Sequence, residues 1–155
     1  MTSKYSFFYL VTVIACLSLT ACRERPLYYH YELTPAEGWD LTDTLHFTVP
    51  AMAETGEYQM QVGLRLDGSY PYRNLSIVVE QQTKPSGVLQ RDTLNCEVVD
   101  ETGYPLGKGV SIYQYLFPLT TLQLNEGERL DISIYHNMRR EVLPGINSVG
   151  VMIEK

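Results

Sequence analysis

The strongest constraint on this chain is the period of its apolar residues, which is two rather than 3.6. Over residues 58–66, Tyr58, Met60, Val62, Leu64 and Leu66 alternate with Gln59, Gln61, Gly63 and Arg65. Successive side chains of a strand point to opposite faces. The pattern therefore makes one apolar face and one wet face, as in an antiparallel sheet packed on one side. The same spacing puts Leu45, Phe47 and Val49 on one face, and likewise Leu75, Ile77 and Val79. Leu94, Cys96 and Val98 repeat it, as do Leu130, Ile132 and Ile134, then Val149, Val151 and Ile153. Turn residues separate the runs: Asp67-Gly68-Ser69, Lys84-Pro85-Ser86-Gly87, a glycine-rich stretch over 100–109, and Asn125-Glu126-Gly127. About seven to eight short strands at spacings of roughly 10–15 residues predict an all-β fold, an antiparallel β-sandwich of jelly-roll type. Residues 110–119 are apolar and aromatic on both sides, which predicts a central strand. Residues 137–142 are expected to form one helical turn, stopped by Pro144-Gly145.

The N-terminus is not part of that pattern. Lys4 precedes an uncharged, mostly apolar stretch over 5–19, which ends in Leu19-Thr20-Ala21-Cys22. A basic start, an apolar run and small residues at the end form a secretory signal. The run is shorter than the roughly 20 apolar residues that cross a bilayer. The Leu-Thr-Ala-Cys tetrad resembles the bacterial lipobox, whose cysteine carries diacylglycerol and becomes the first residue after cleavage. On this reading residues 1–21 are the lipoprotein signal peptide, Cys22 is the lipidation site, residues 22–38 are anchor and tether, and residues 39–155 are the sandwich domain. Each buried acyl methylene contributes about 0.8 kcal/mol, so two or three chains hold a domain on a membrane. Arg23-Glu24-Arg25-Pro26 has neither an Asp beside Cys22 nor an acidic cluster. It resembles neither an inner-membrane retention signal nor a surface-export signal, which points to the periplasmic face of the outer membrane.

Removing 21 residues from 155 leaves 134, enough for one domain with its own core. The 18 acidic residues outnumber the 12 Lys and Arg, and such a domain has no electrostatic attraction to nucleic acid. Cys16 leaves with the signal and Cys22 takes lipid, so Cys96 alone cannot build an internal disulfide; it reads as a small buried hydrophobe.

Three further stretches share a family likeness. Asn137-Met138-Arg139-Arg140, Leu143-Pro144-Gly145-Ile146 and Val149-Gly150 resemble the closing signature of the gliding-motility lipoprotein GldH family of Bacteroidota. Tyr70-Pro71-Tyr72-Arg73-Asn74-Leu75 is similar to that family's central motif, and 103–109 to its glycine-rich segment, where Tyr104-Pro105 departs from the family pattern. The resemblance implies a non-enzymatic envelope component of gliding or of the linked secretion or envelope-assembly machinery. Its implied partners are the membrane, through the lipid, and other envelope lipoproteins or secretion and motility components.

The residues themselves offer no catalytic set. His30, His46 and His136 lie in no metal spacing, Gly-x-Ser-x-Gly is absent, and no cofactor is expected. Pro71 stiffens Tyr70 and Tyr72 at a strand entrance, where tyrosines make good protein contacts or else form a core-edge corner with their hydroxyls hydrogen-bonded to backbone. The contact surface expected from the motif resemblance and from these side chains is Trp39, Tyr70, Tyr72, Arg73, Asn137, Met138, Arg139 and Arg140. An alternative is an envelope glycan-binding module, with Trp39, Tyr70, Tyr72 and Tyr104 stacking on sugar faces. Asp43-Thr44-Leu45 and Asp92-Thr93-Leu94 resemble the Bacteroidota O-glycosylation sequon, which makes Thr44 and Thr93 candidate modification sites.

Overall fold

Each alternating run is a strand. The computed structural model describes residues 26–155; the signal segment and Cys22 lie outside the described residues. The strands are β1 (Tyr28–Leu33), β2 (Trp39–Asp40), β3 (Leu45–Val49), β4 (Gly56–Asp67), β5 (Asn74–Lys84) and β6 (Leu89–Glu97). They continue as β7 (Lys108–Gly109), β8 (Ile112–Leu124), β9 (Arg129–His136), β10 (Val142–Leu143) and β11 (Ile146–Glu154). One sheet has the order β1-β11-β4-β8-β7 and a second β3-β9-β5-β6; β10 and β2 form a separate pair. Every ladder is antiparallel. If the three two-residue strands are set aside, the remaining eight run first-eighth-third-sixth in one sheet and second-seventh-fourth-fifth in the other. That order is the double Greek key of a jelly roll.

The core lies between the sheets. Met60, Val62, Leu64, Val149, Val151 and Ile153 face Phe47, Ile77, Val79, Leu130, Ile132 and Ile134, all buried. Burying a side chain of this size contributes about 1.5–3 kcal/mol. Cys96 is in the same core with no exposure, as its alternation requires.

Three expectations are corrected. Residues 28–33, placed in the tether as irregular or edge structure, are edge strand β1 of the domain, paired with β11 from Tyr28↔Ile153 to Leu33↔Ser148. The folded domain thus begins at Tyr28 rather than Trp39. Tyr31 explains the docking. A Cβ on Gly63 would stand 2.1 Å from the Tyr31 hydroxyl oxygen, and one on Gly150 would stand 2.7 Å from its ring. The ring covers a two-glycine floor, and the Arg65 guanidinium sits over it at 4.0 Å.

The strand over 110–119 is not central: β8 pairs with β4 along its length but with β7 only at Gln114 and Tyr113. Its aromatic residues Tyr115 and Phe117 pack inward, while Ile112 and Leu116 on the other face stay exposed.

Residues 137–142 make no helical turn. The Asn137 amide donates to the Ser76 carbonyl at 2.8 Å, and Val142-Leu143 pairs with Asp40-Trp39. Long-range partners satisfy this backbone, so a local helix gains nothing there.

The topology sorts the connections onto two poles. The chain enters at Tyr28, beside Ile153 and near the β3–β4, β5–β6 and β8–β9 turns. At the opposite pole, by the end of β1, are the β4–β5 connection, the β6–β8 connection, the β2–β10 pair and the turn into β11.

Candidate contact surface

The pole remote from the chain entry holds every residue of the expected surface. Asp67 ends β4 and folds the chain back: its Oδ1 accepts from the Ser69 amide at 2.8 Å and the Ser69 hydroxyl at 2.6 Å. These bonds hold the Asp67 carboxyl below its ordinary pKa. Tyr70 then turns inward, and its hydroxyl donates to the Asn74 carbonyl at 2.9 Å. Burial pushes that phenol's pKa upward. The Tyr72 ring packs edge-on against Tyr70 with centroids 5.7 Å apart. Arg73 is exposed and reaches the Glu97 carboxylate, with Nε at 2.9 Å, while Glu101 lies 3.9 Å away.

The closing motif meets the central motif here. Gly145 has φ +78, and a Cβ on it would stand 2.3 Å from the Tyr70 amide nitrogen. Only glycine combines that left-handed backbone with so close an approach. The Asp67 amide donates to the Gly145 carbonyl at 2.9 Å. Two stretches far apart in sequence thus form one junction. On the other side of β5, the Met138 sulfur accepts from the Ser76 amide at 3.4 Å. Asn137, Arg139 and Arg140 project into solvent.

Trp39 is buried with no exposure, which corrects its placement on the surface. Its Nε1 donates to the Asp43 carbonyl at 3.0 Å, and its ring meets His136 edge-on at 5.3 Å. His136 Nε2 donates to the Trp39 carbonyl at 3.2 Å, and Nδ1 accepts from the Met138 amide at 3.4 Å. One nitrogen gives a proton and the other takes one, which is the neutral imidazole. Burial holds its pKa below the ordinary histidine value, against the raising effects of the Trp39 and Glu141 carbonyls and of Asp40. On a strand, as its sequence context suggests, His136 is buried and hydrogen-bonded. It is the lock between β9, the β2–β10 pair and the residues leading to Arg139. Gly38 completes the lock: at φ +124, a Cβ would stand 2.8 Å from the Leu143 carbonyl oxygen.

Tyr70 is likewise buried rather than presented, so Trp39 and Tyr70 support the surface instead of forming it. The exposed part reduces to Tyr72 at its half-buried edge, Arg73, Asn137, Arg139 and Arg140. Sugar stacking by Trp39 and Tyr70 is excluded by the same burial. Tyr104 is 72% exposed but stands alone in the 98–107 connection. Among the described residues, no group of three or more His, Cys, Asp or Glu side chains could hold a metal ion. Burial pushes the Cys96 thiol up to about 12, which makes it a poor nucleophile.

Residues 26–153 match the family described as GldH lipoprotein. The chain is 27% identical over 152 residues to the gliding motility lipoprotein GldH of Flavobacterium johnsoniae, covering 94% of each chain. It is 26% identical over 164 residues to a GldH homolog of Christiangramia forsetii, covering all of this chain and 98% of that protein. Among solved structures, a family GH115 4-O-methyl-α-glucuronidase aligns with TM-score 0.44 and 10% identity, over 86% of this chain and 18% of that one.

Proposed function

The chain belongs to the GldH lipoprotein family, and from that premise we propose that it is a lipid-anchored, non-enzymatic component of gliding machinery or of the linked secretion machinery. It acts by protein contact. The observation that carries this reading is the position of the family motifs. Tyr70-Pro71-Tyr72-Arg73 and Asn137–Gly145 are distant in sequence, yet Gly145 packs on Tyr70 and both flank the start of β5. Buried Trp39, Tyr70 and His136 hold that pole rigid, and a rigid frame is what lets exposed residues act as a specific surface.

The lipid sits at Cys22, on the periplasmic face of the outer membrane. Five residues separate Cys22 from Tyr28, and the six extended steps between them span at most about 20 Å. The domain is therefore held close to the bilayer by its entry pole. Tyr72, Arg73, Asn137, Arg139 and Arg140 lie at the other pole, where a partner in the periplasm meets them. The partners are other envelope lipoproteins or motility components. Thr44 and Thr93 are both exposed, as O-glycosylation requires; intact mass of the protein from its own host, compared with a Thr44→Ala, Thr93→Ala double variant, shows whether either is modified.

The test is capture from solubilised outer membranes through a tag at Lys155, which lies at the entry pole beside Glu54. Wild type recovers motility or secretion components. Arg73→Ala with Arg139→Ala and Arg140→Ala reduces that recovery at least tenfold, and Cys22→Ser abolishes it. Equal recovery by the triple variant would exclude the pole as the contact surface.

A further inference from the structure

The surface at the far pole leaves one long element unused. β8 runs for 13 residues, Ile112-Tyr-Gln-Tyr-Leu-Phe-Pro-Leu-Thr-Thr-Leu-Gln-Leu124, without a single charge. β4 takes up one of its edges. β7 takes up the other at Gln114 and Tyr113, Gly107 packs on the Tyr115 ring, and Gln90 of β6 donates to the Thr120 hydroxyl at 3.4 Å, but no backbone bond to any loop covers Leu116 to Leu124. An edge strand offers unpaired N–H and C=O groups, and proteins normally blunt it by shortness, charge, proline or a bulge. The other edges obey that rule: β1 has six residues and a His30–Glu32 contact, β3 has five residues, and β6 carries Arg91, Asp92 and Glu97. β8 has only Pro118 and the irregularity opposite Met60/Gln61, which leave one gap in an otherwise open ladder.

A cleft of about 630 Å³ lies along this edge, lined by Glu97, Leu106, Lys108, Gln114, Leu116 and Phe117 among others. Leu106 and Leu116 are 54% and 44% exposed, so apolar surface waits beside the open backbone. The charge at the rim has a sign. Arg73 takes up the Glu97 carboxylate, whereas Lys108 has no ion-pair partner among the described residues. The site therefore presents one uncompensated cation. On these grounds we infer that β8 and its cleft bind an extended peptide segment of a partner protein by strand addition. The segment pairs with β8 beyond the point where Gly107 and Leu106 turn away, along Phe117 to Leu124, places alternate apolar side chains against Leu106 and Leu116, and brings a carboxylate to Lys108. Backbone pairing supplies general affinity, and the cleft and Lys108 select the sequence. Its rim touches the far-pole surface through the Arg73–Glu97 pair, whereas the β8 backbone, Leu106 and Lys108 are none of the residues changed in the far-pole test.

The test uses full-length lipidated protein in detergent and a phage-displayed library of random linear nine-residue peptides. The expected peptides alternate apolar and polar residues and carry Asp or Glu. A synthetic copy of the best one slows amide hydrogen exchange over 117–124. Methylating alternate backbone nitrogens of that peptide weakens binding at least tenfold, and so does Lys108→Glu. Lys108 is exposed and makes no contact that folding needs, so the variant stays folded; unchanged Trp39 fluorescence checks this. No enrichment, slowed exchange elsewhere in the domain, or equal affinity after N-methylation overturns the inference. Slowed exchange over 117–124 that follows protein concentration alone, or that a glycan produces in place of any peptide, overturns it too, because the occupant would then be a second copy or a sugar.

Discussion

At the residue scale, the fate of Trp39 and His136 decides how the remote pole is read. A tryptophan beside a glycine in a proline-punctuated stretch looks like a loop residue offered for contact. Its two-residue strand is too short to show a period, and its partners, Val142-Leu143 and His136, come from about a hundred residues away. No local signal reports such burial. Trp39→Ala should therefore act as a core deletion, costing about 3–5 kcal/mol in denaturant unfolding, rather than as a clean loss of binding. His136 adds a pH dependence. Its folded pKa lies below its unfolded value of about 6.5, so the unfolded chain takes the proton first. Its contribution is complete above about pH 6.5 and is lost as pH falls through the folded pKa. The depressed carboxylates Asp40, Asp67 and Asp131 act in the same direction but only further into acid. Trp39 is the only tryptophan, so its fluorescence follows unfolding directly. His136→Gln should flatten the stability profile on acidification below about pH 6.5.

At the element scale, the long strands were legible and the short ones were not. Alternation located β3, β4, β5, β9 and β11, because each buries one face over at least five residues. It failed at β1, whose sequence Tyr-Tyr-His-Tyr-Glu-Leu has no clean apolar face. That strand is held by a shape match, Tyr31 on Gly63 and Gly150, which no single-strand pattern contains. Tyr31→Ala should uncover both glycines and cost about 3 kcal/mol, comparable to deleting a buried aromatic ring, whereas Tyr31→Phe keeps the cover and should unfold near wild type. The turn before β11 makes the same point. Pro144-Gly145 reads as a helix stop, but Gly145 is there for a left-handed backbone against Tyr70. Gly145→Ala combines that strain with a clash and should cost about 3 kcal/mol or more, measured by urea unfolding. The aromatic character of β8 was read correctly and its place in the sheet was not, because composition reports what a strand buries, not which of its edges has a neighbour.

At the scale of the whole molecule, the jelly-roll class followed from strand number and turn spacing, and the signal segment marks the end proposed to carry lipid. What the sequence did not contain was the division into poles, since that depends on which turns the sheet order brings together. The order puts the chain entry at Tyr28 and the family motifs at opposite ends of the sandwich. Cys96 sits between them, sealed in the core, and should resist thiol reagents in the folded protein while reacting fully in denaturant. The central claim is that the remote pole meets the partner. The most direct measurement places a photo-crosslinking amino acid in cells at Arg140, at the remote pole, and separately at Val88, exposed in the β5–β6 turn at the entry pole. The account predicts one discrete envelope-protein adduct from Arg140, present with wild-type Cys22, lost with Cys22→Ser, and absent from Val88. The same adduct from both positions, or none from Arg140, would contradict it.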